Sequence, residues 1–203
     1  NTQQIILISN FAEEKLLIMA EYNKYTSTKA YAMEYGTFLG IGWIIVFALY
    51  ICGLRTLNGL PLVLGMLTLV SLPAASIYLA LRFKKQDACE EGISLRRAIF
   101  FSLMMHLYAS LLTSIAALLY FQIMDNGAVI NSMYNVINSP YAVSVYKQAG
   151  MEDVLEMGRS NLDALSQLSP LEIAFALFNQ NIMVSIILSI LTGFVAANKK
   201  YTK

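Results

Sequence analysis

The sequence predicts an all-α integral membrane protein, a four-helix bundle with an external cap of short amphipathic helices. Of its 203 residues, 57% are hydrophobic and 13% are charged, and the mean hydropathy is +0.57. Charged residues are therefore about half as frequent as in a globular domain. Four apolar segments are long enough to cross a bilayer, and a polar region between the third and the fourth provides the cap.

The first apolar segment follows an amphipathic N-terminal region. Residues 1–34 fit either a cytoplasmic arm or an interfacial helix, and both interpretations stay open. The first span is predicted over residues 35–54. Within it, Gly36, Gly40 and Gly42 form a notch that lets a second helix approach closely.

The second span is predicted over residues 61–81, directly after a short turn. Asn58-Gly59 is a turn dipeptide, and Pro61 suits the first position of a helix. A loop this short makes the first two spans antiparallel neighbours. Pro73 lies inside the second span and predicts a kink, which serves either packing or the hinge of a gate.

The third span, residues 93–125, has two different sides when it is wound as a helix, and Ser94 is placed to cap it. The small and polar side predicts a packing face, and the bulky side predicts contact with lipid. The packing face comprises Ser102, His106, Ala109, Ser110, Thr113, Ala116, Ala117 and Tyr120, and the lipid face comprises Met104, Leu107, Leu111, Ile115, Leu118 and Leu119.

Two short amphipathic helices are predicted in the external region, residues 125–169, one ending near Ser139-Pro140 and one beginning after Gly150. A capping box, Ser169-Pro170-Leu171-Glu172, then starts the fourth span, which ends near residue 198. The predicted membrane domain is thus 35–198, and 199–203 form a basic cytoplasmic tail.

The distribution of lysine and arginine predicts that both termini are cytoplasmic. With the N-terminus inside, eleven of the 14 basic residues lie on the inner side and three on the outer side. Five of the eleven lie in the loop between the second and third spans. They form a candidate patch for a partner or for anionic lipid, or they only set the orientation: Arg82, Lys84, Lys85, Arg96 and Arg97.

Polar side chains inside the spans form a second candidate site, which either binds a headgroup or holds the helices together. Its members are His106, Ser102, Ser110, Gln122, Asn179 and Gln180. His106 relays protons, holds a lipid phosphate or makes a structural hydrogen bond between helices. We predict a neutral His106 that faces the bundle and bonds to a hydroxyl or a backbone carbonyl, because no acidic residue is expected at its depth.

Recognisable catalytic patterns are missing from the sequence. There is no GxSxG elbow, no Walker A sequence, no GxGxxG and no metal-ligand spacing. The sequence therefore predicts no enzyme, no catalytic residues and no cofactor. The net charge of +1 predicts no nucleic-acid partner.

Three short motifs resemble a bacterial membrane family catalogued as domain of unknown function four-one-nine-nine. They are Lys-Ala-x-x-x-x-Tyr-Gly-x-x-x-Gly at 29–40, Gly-Ile-Ser-Leu-x-x-Ala at 92–98, and Met157-Gly158 followed by Leu168-Ser169-Pro170. The resemblance covers about 28–200. It implies a four-helix protein of the bacterial inner membrane and no catalytic residues; members are often encoded near membrane-associated glycosyltransferases.

Two functional hypotheses follow. The first is a non-catalytic inner-membrane subunit that anchors or positions a partner protein, for which the resemblance favours a membrane-associated glycosyltransferase. The second is a small oligomeric transporter or lipid-handling protein that uses Pro73, His106 and the amides at 179–181. Either way, the expected partners are membrane lipid and a protein partner or a second copy of the chain.

Overall fold

The computed structural model describes residues 2–87 and 92–197, and these form seven α-helices. Four of them are long and apolar enough to cross a membrane, so the predicted helical membrane bundle is confirmed. The helices are α1 (Thr2–Thr56), α2 (Gly59–Asp87), α3 (Leu95–Ile123), α4 (Ala128–Ile137), α5 (Pro140–Gln148), α6 (Glu152–Ser166) and α7 (Pro170–Ala196). Cys89 and the tail at 199–203 lie outside the described residues.

Helix α3 is the best-packed span of the bundle. It packs extensively against α1 and α7, while α2 contacts α1 and α7 from the other side. The four spans therefore form a ring in the order α1, α2, α7, α3. Six of the eight residues on the predicted packing face of α3 are buried, and Ala116 and Tyr120 are partly buried. Phe101 and Met105 are buried as well, because α3 is covered on two sides.

Helix α1 is longer than the sequence pattern indicated. It continues without a break from Thr2 through the span to Thr56, so residue 34 is not a helix boundary. No glycine or proline occurs between Thr2 and Tyr35, so no helix breaker interrupts the segment. Thr28 and Ala32 are already fully buried, which places the start of the packed bundle before residue 35.

The glycine notch of α1 is confirmed, and it faces two different helices. A Cβ on Gly36 would lie 2.6 Å from the carbonyl oxygen of Met105, and one on Gly40 would lie 3.2 Å from the Cα of Ala109. Both glycines therefore allow α1 to approach the backbone of α3. Gly42 instead faces Leu72 of α2, whose Cδ2 would lie 3.0 Å from an added Cβ.

The predicted helix starts are mostly confirmed, with one correction in α2. Ser94 accepts a hydrogen bond from the Arg97 amide at the start of α3, and Ser169 with Glu172 forms the capping box of α7. Helix α2, however, begins at Gly59 rather than at Pro61. The side chain of Asn58 explains this start, because its Oδ1 accepts the amide hydrogen of Leu60 at 2.9 Å.

The cap contains three helices where two were predicted. Pro140 was expected only to stop α4, but it also starts α5, with Ser139 accepting the amide hydrogen of Ala142 at 3.2 Å. A proline at the first helical position is favourable, since its missing N–H has no partner to lose there. A stop signal for one helix was therefore also the start signal for the next.

Apolar contacts seat the cap on α1. Val129 of α4 is buried against Ile51 and Leu54 of α1. Within the cap, Tyr134 donates a hydrogen bond to the Asp163 carboxylate of α6, and this bond raises the pKa of Tyr134. The α4–α6 pair therefore forms a unit over one end of the bundle.

Candidate functional site

His106 lies at the centre of the bundle and is fully buried. Its Nδ1 is 2.7 Å from the carbonyl oxygen of Ser102. A carbonyl oxygen can only accept, so Nδ1 carries a hydrogen. Its Nε2 is 3.1 Å from the hydroxyl of Ser76 on α2. In the neutral ring Nε2 accepts, and Ser76 is then the donor.

The Ser76 hydroxyl has two acceptors within reach. Besides the His106 ring, the carbonyl oxygen of Leu72 lies 3.0 Å away on the same helix. Because a hydroxyl has one hydrogen, Ser76 donates either to His106 or to Leu72. Neither choice leaves this buried hydroxyl without a partner.

Residues of all four spans meet at His106. The Ser189 hydroxyl of α7 lies 3.4 Å from Nδ1, and the Trp43 ring of α1 lies 6.4 Å from the imidazole, centroid to centroid. Among the described residues, the hydrogen-bond partners of His106 are hydroxyl and carbonyl oxygens only. This arrangement holds helices together, and it lacks the carboxylate that would orient a catalytic histidine.

Several buried polar groups extend from His106 along the inside of the bundle. Four atoms have no hydrogen-bond partner within the described part of the chain: Trp43 Nε1, Ser110 Oγ, Ser114 Oγ and Ser185 Oγ. Ser110, which the sequence placed beside His106, therefore lies on the same packed face without bonding to the ring. A buried polar group without a partner carries a desolvation penalty, so these four groups do not add to the stability of the bundle.

The amides of the predicted polar site lie elsewhere. Ser189 contacts His106, and Asn179 is ten residues away on α7, roughly 15 Å along the helix. Gln122 is exposed near the end of α3, and Gln180 is exposed on α7. Of the six predicted residues, the structure therefore brings together His106 and Ser102. Ser76, Ser189 and Trp43 complete that group.

The predicted basic patch is divided between two environments. Arg97 forms an ion pair with Asp87, and its Nε donates to the Thr28 hydroxyl at 2.9 Å. Arg97 thereby ties α3 to α2 and α1, which is a structural role that the sequence did not reveal. Arg96 is exposed at the start of α3. The three other members lie on the last turns of α2.

A comparison with protein-family models shows to which family the chain belongs. Residues 34–198 match the model described as Protein of unknown function (DUF4199). The chain belongs to this family. The comparisons with curated proteins and with solved structures find no match. The part of this chain that matches the DUF4199 model includes α2, α3, the three cap helices, α7 and the C-terminal part of α1, which packs in the bundle.

An apolar groove lies beneath the cap of this DUF4199 chain. It has a volume of about 280 Å³ and lies between α1 and α7, with α4 and α6 above it. Its walls are almost entirely apolar, and Gln180 is its one amide side chain. The groove is lined by Phe47, Tyr50, Ile51, Phe121, Val129, Ile130, Met133, Leu165, Ile173, Ala176, Leu177 and Gln180.

Proposed function

We propose that this chain is a non-catalytic membrane subunit that anchors or positions a partner protein. The observation that carries the proposal is Asn179, an exposed amide on the membrane-spanning helix α7. It lies roughly 14 Å along the helix from Pro170, well inside a 27-residue span. An amide in contact with lipid alone leaves its hydrogen-bonding groups unsatisfied, whereas a second helix can satisfy them.

The state of His106 also favours a subunit over a transporter. Its side chain is fully buried, with one ring nitrogen bonded to Ser102 of the same helix and the other to Ser76 of α2. A transport site requires access from one side of the membrane, and this packing offers none at the ring. A membrane-associated glycosyltransferase acting on a lipid-linked sugar is the partner that the family resemblance favours.

Photo-crosslinking tests the Asn179 surface. Met183 lies one turn from Asn179 and is 67% exposed, and Leu67 on α2 is 63% exposed. We expect a photoreactive residue at position 183 to give a discrete crosslinked protein in native membranes, and one at position 67 to give none. Asn179→Leu should abolish the product, while Gln122→Leu should not, because Gln122 is near a helix end. If the photoreactive residue at position 183 gives no crosslinked protein, the proposal is contradicted.

A second candidate, a lipid-handling protein, is favoured by the groove beneath the cap. Its apolar walls fit an alkyl chain that enters sideways from the bilayer. Mass spectrometry of the purified chain distinguishes the two functions. A lipid-handling protein should retain a lipid that Ala176→Phe displaces, since Ala176 lines the groove, with no crosslinked protein partner.

We further propose that the chain lies in the inner membrane with both termini in the cytoplasm. The asymmetry of lysine and arginine supports this orientation. A cysteine at Gln148, which is exposed at the end of α5, should react with an impermeant thiol reagent from outside the cell in a background without native cysteines. If the cysteine reacts only after the membrane is permeabilised, position 148 lies on the cytoplasmic side and the proposed orientation is wrong.

A further inference from the structure

A cavity of about 350 Å³ lies against the last turns of α2. Three cations and a tyrosine line it together with one apolar residue: Tyr78, Leu81, Arg82, Lys84 and Lys85. Residues 78, 81, 82 and 85 are spaced by three and four, so they share one face of the helix. Because α2 is a candidate membrane span, this face lies where the helix leaves the hydrocarbon.

The structure places Arg82 and Lys85 in a different environment from Arg97 of the same basic patch. Arg97 is paired with Asp87, which also accepts a hydrogen bond from Ser27. Arg82 is exposed, and its guanidinium carbon lies 5.9 Å from the centroid of the Tyr35 ring, so it is held at the cavity without losing its access to solvent. Lys85 is also exposed.

We propose that this cavity binds the phosphate headgroup of an anionic phospholipid from the leaflet at the C-terminal end of α2. The charges are complementary, and basic residues next to a span attract anionic lipid. The Tyr78 hydroxyl adds a hydrogen-bond donor, while its ring and Leu81 offer apolar surface to the lipid below the headgroup. An acidic protein surface is a poorer match, because stable protein contacts need about 800 Å² on each partner.

Retention of lipid by the purified chain tests the proposal. The protein is reconstituted in nanodiscs of phosphatidylcholine with a minor fraction of phosphatidylglycerol, and retained phosphatidylglycerol is titrated by native mass spectrometry. We expect Arg82→Gln and Lys85→Gln each to weaken retention about fivefold, which corresponds to about 1 kcal/mol per cation. Arg96→Gln removes the same charge outside the cavity and should leave retention unchanged.

Each other outcome overturns the proposal. An equal loss in Arg96→Gln would mean that phosphatidylglycerol responds to surface charge rather than to this cavity. Displacement by millimolar inorganic phosphate would identify a site for a free anion. Lys85 is exposed and is not the residue whose side chain lies over Tyr35, so Lys85→Gln remains informative if Arg82→Gln disturbs the contact with Tyr35. The purified chain is tested without a partner, so failure here leaves the Asn179 proposal standing.

Discussion

Replacing Gly36 with alanine is expected to destabilise the protein by about 1–3 kcal/mol, the usual range for overpacking a tight interface. An added Cβ would lie 2.6 Å from the carbonyl oxygen of Met105 and 2.8 Å from the Cβ of Tyr108. Backbone and Cβ atoms cannot rotate away, so α1 and α3 must move apart. The free energy of unfolding in mixed detergent micelles measures the effect.

Two other glycines of the same chain serve as controls. A Cβ on Gly59 meets no atom within 4 Å, so Gly59→Ala should be neutral or slightly stabilising. Gly42→Ala should be tolerated better than Gly36→Ala, because the atom it meets is the mobile end of the Leu72 side chain. If Gly36→Ala proves as stable as Gly59→Ala, the close contact between α1 and α3 is not a source of stability.

The sequence was sufficient for features that depend on local chemistry. Apolar length identified the four spans, and the spacing of small and polar residues identified the inward face of α3. Ser94 and Ser169 marked helix starts because a capping side chain bonds within its own first turn. These signals require no knowledge of neighbouring helices.

Features that depend on the arrangement of the helices were not visible in the sequence. Ser76 of α2 contacts His106 of α3 across the centre of the four-helix bundle, and nothing in the sequence of α2 indicates which helix lies opposite it. Arg97 looked like one of five loop cations until the fold placed Asp87 and Thr28 beside it. Gln122 and Asn179 both carry an amide side chain, but Gln122 lies 16 residues from His106 along α3, and Asn179 lies ten residues along α7 from Ser189, which contacts His106.

Replacing His106 with leucine is expected to cost roughly 1–2 kcal/mol, the range for a hydrogen bond between membrane helices in model peptides. The variant loses the bonds from Nδ1 to Ser102 and from Ser76 to Nε2. Ser76 keeps Leu72 as an acceptor, so the loss should not exceed this range. His106→Gln should retain much of the stability, since its amide offers one donor and one acceptor group in place of the two ring nitrogens.

Ser110→Ala is the matched control for His106, because it removes a buried hydroxyl of the same helix that has no partner among the described residues. It should be neutral or stabilising, since an unsatisfied buried group carries a desolvation penalty. Thermal stability is compared with the yield of the crosslink from position 183 for all three variants. If His106 has only a structural role, His106→Leu should be the one variant of the three that is impaired, and its thermal stability should fall before its crosslink yield does. If His106→Leu and His106→Gln stay as stable as the parent and both lose the crosslink, His106 acts in function rather than in folding.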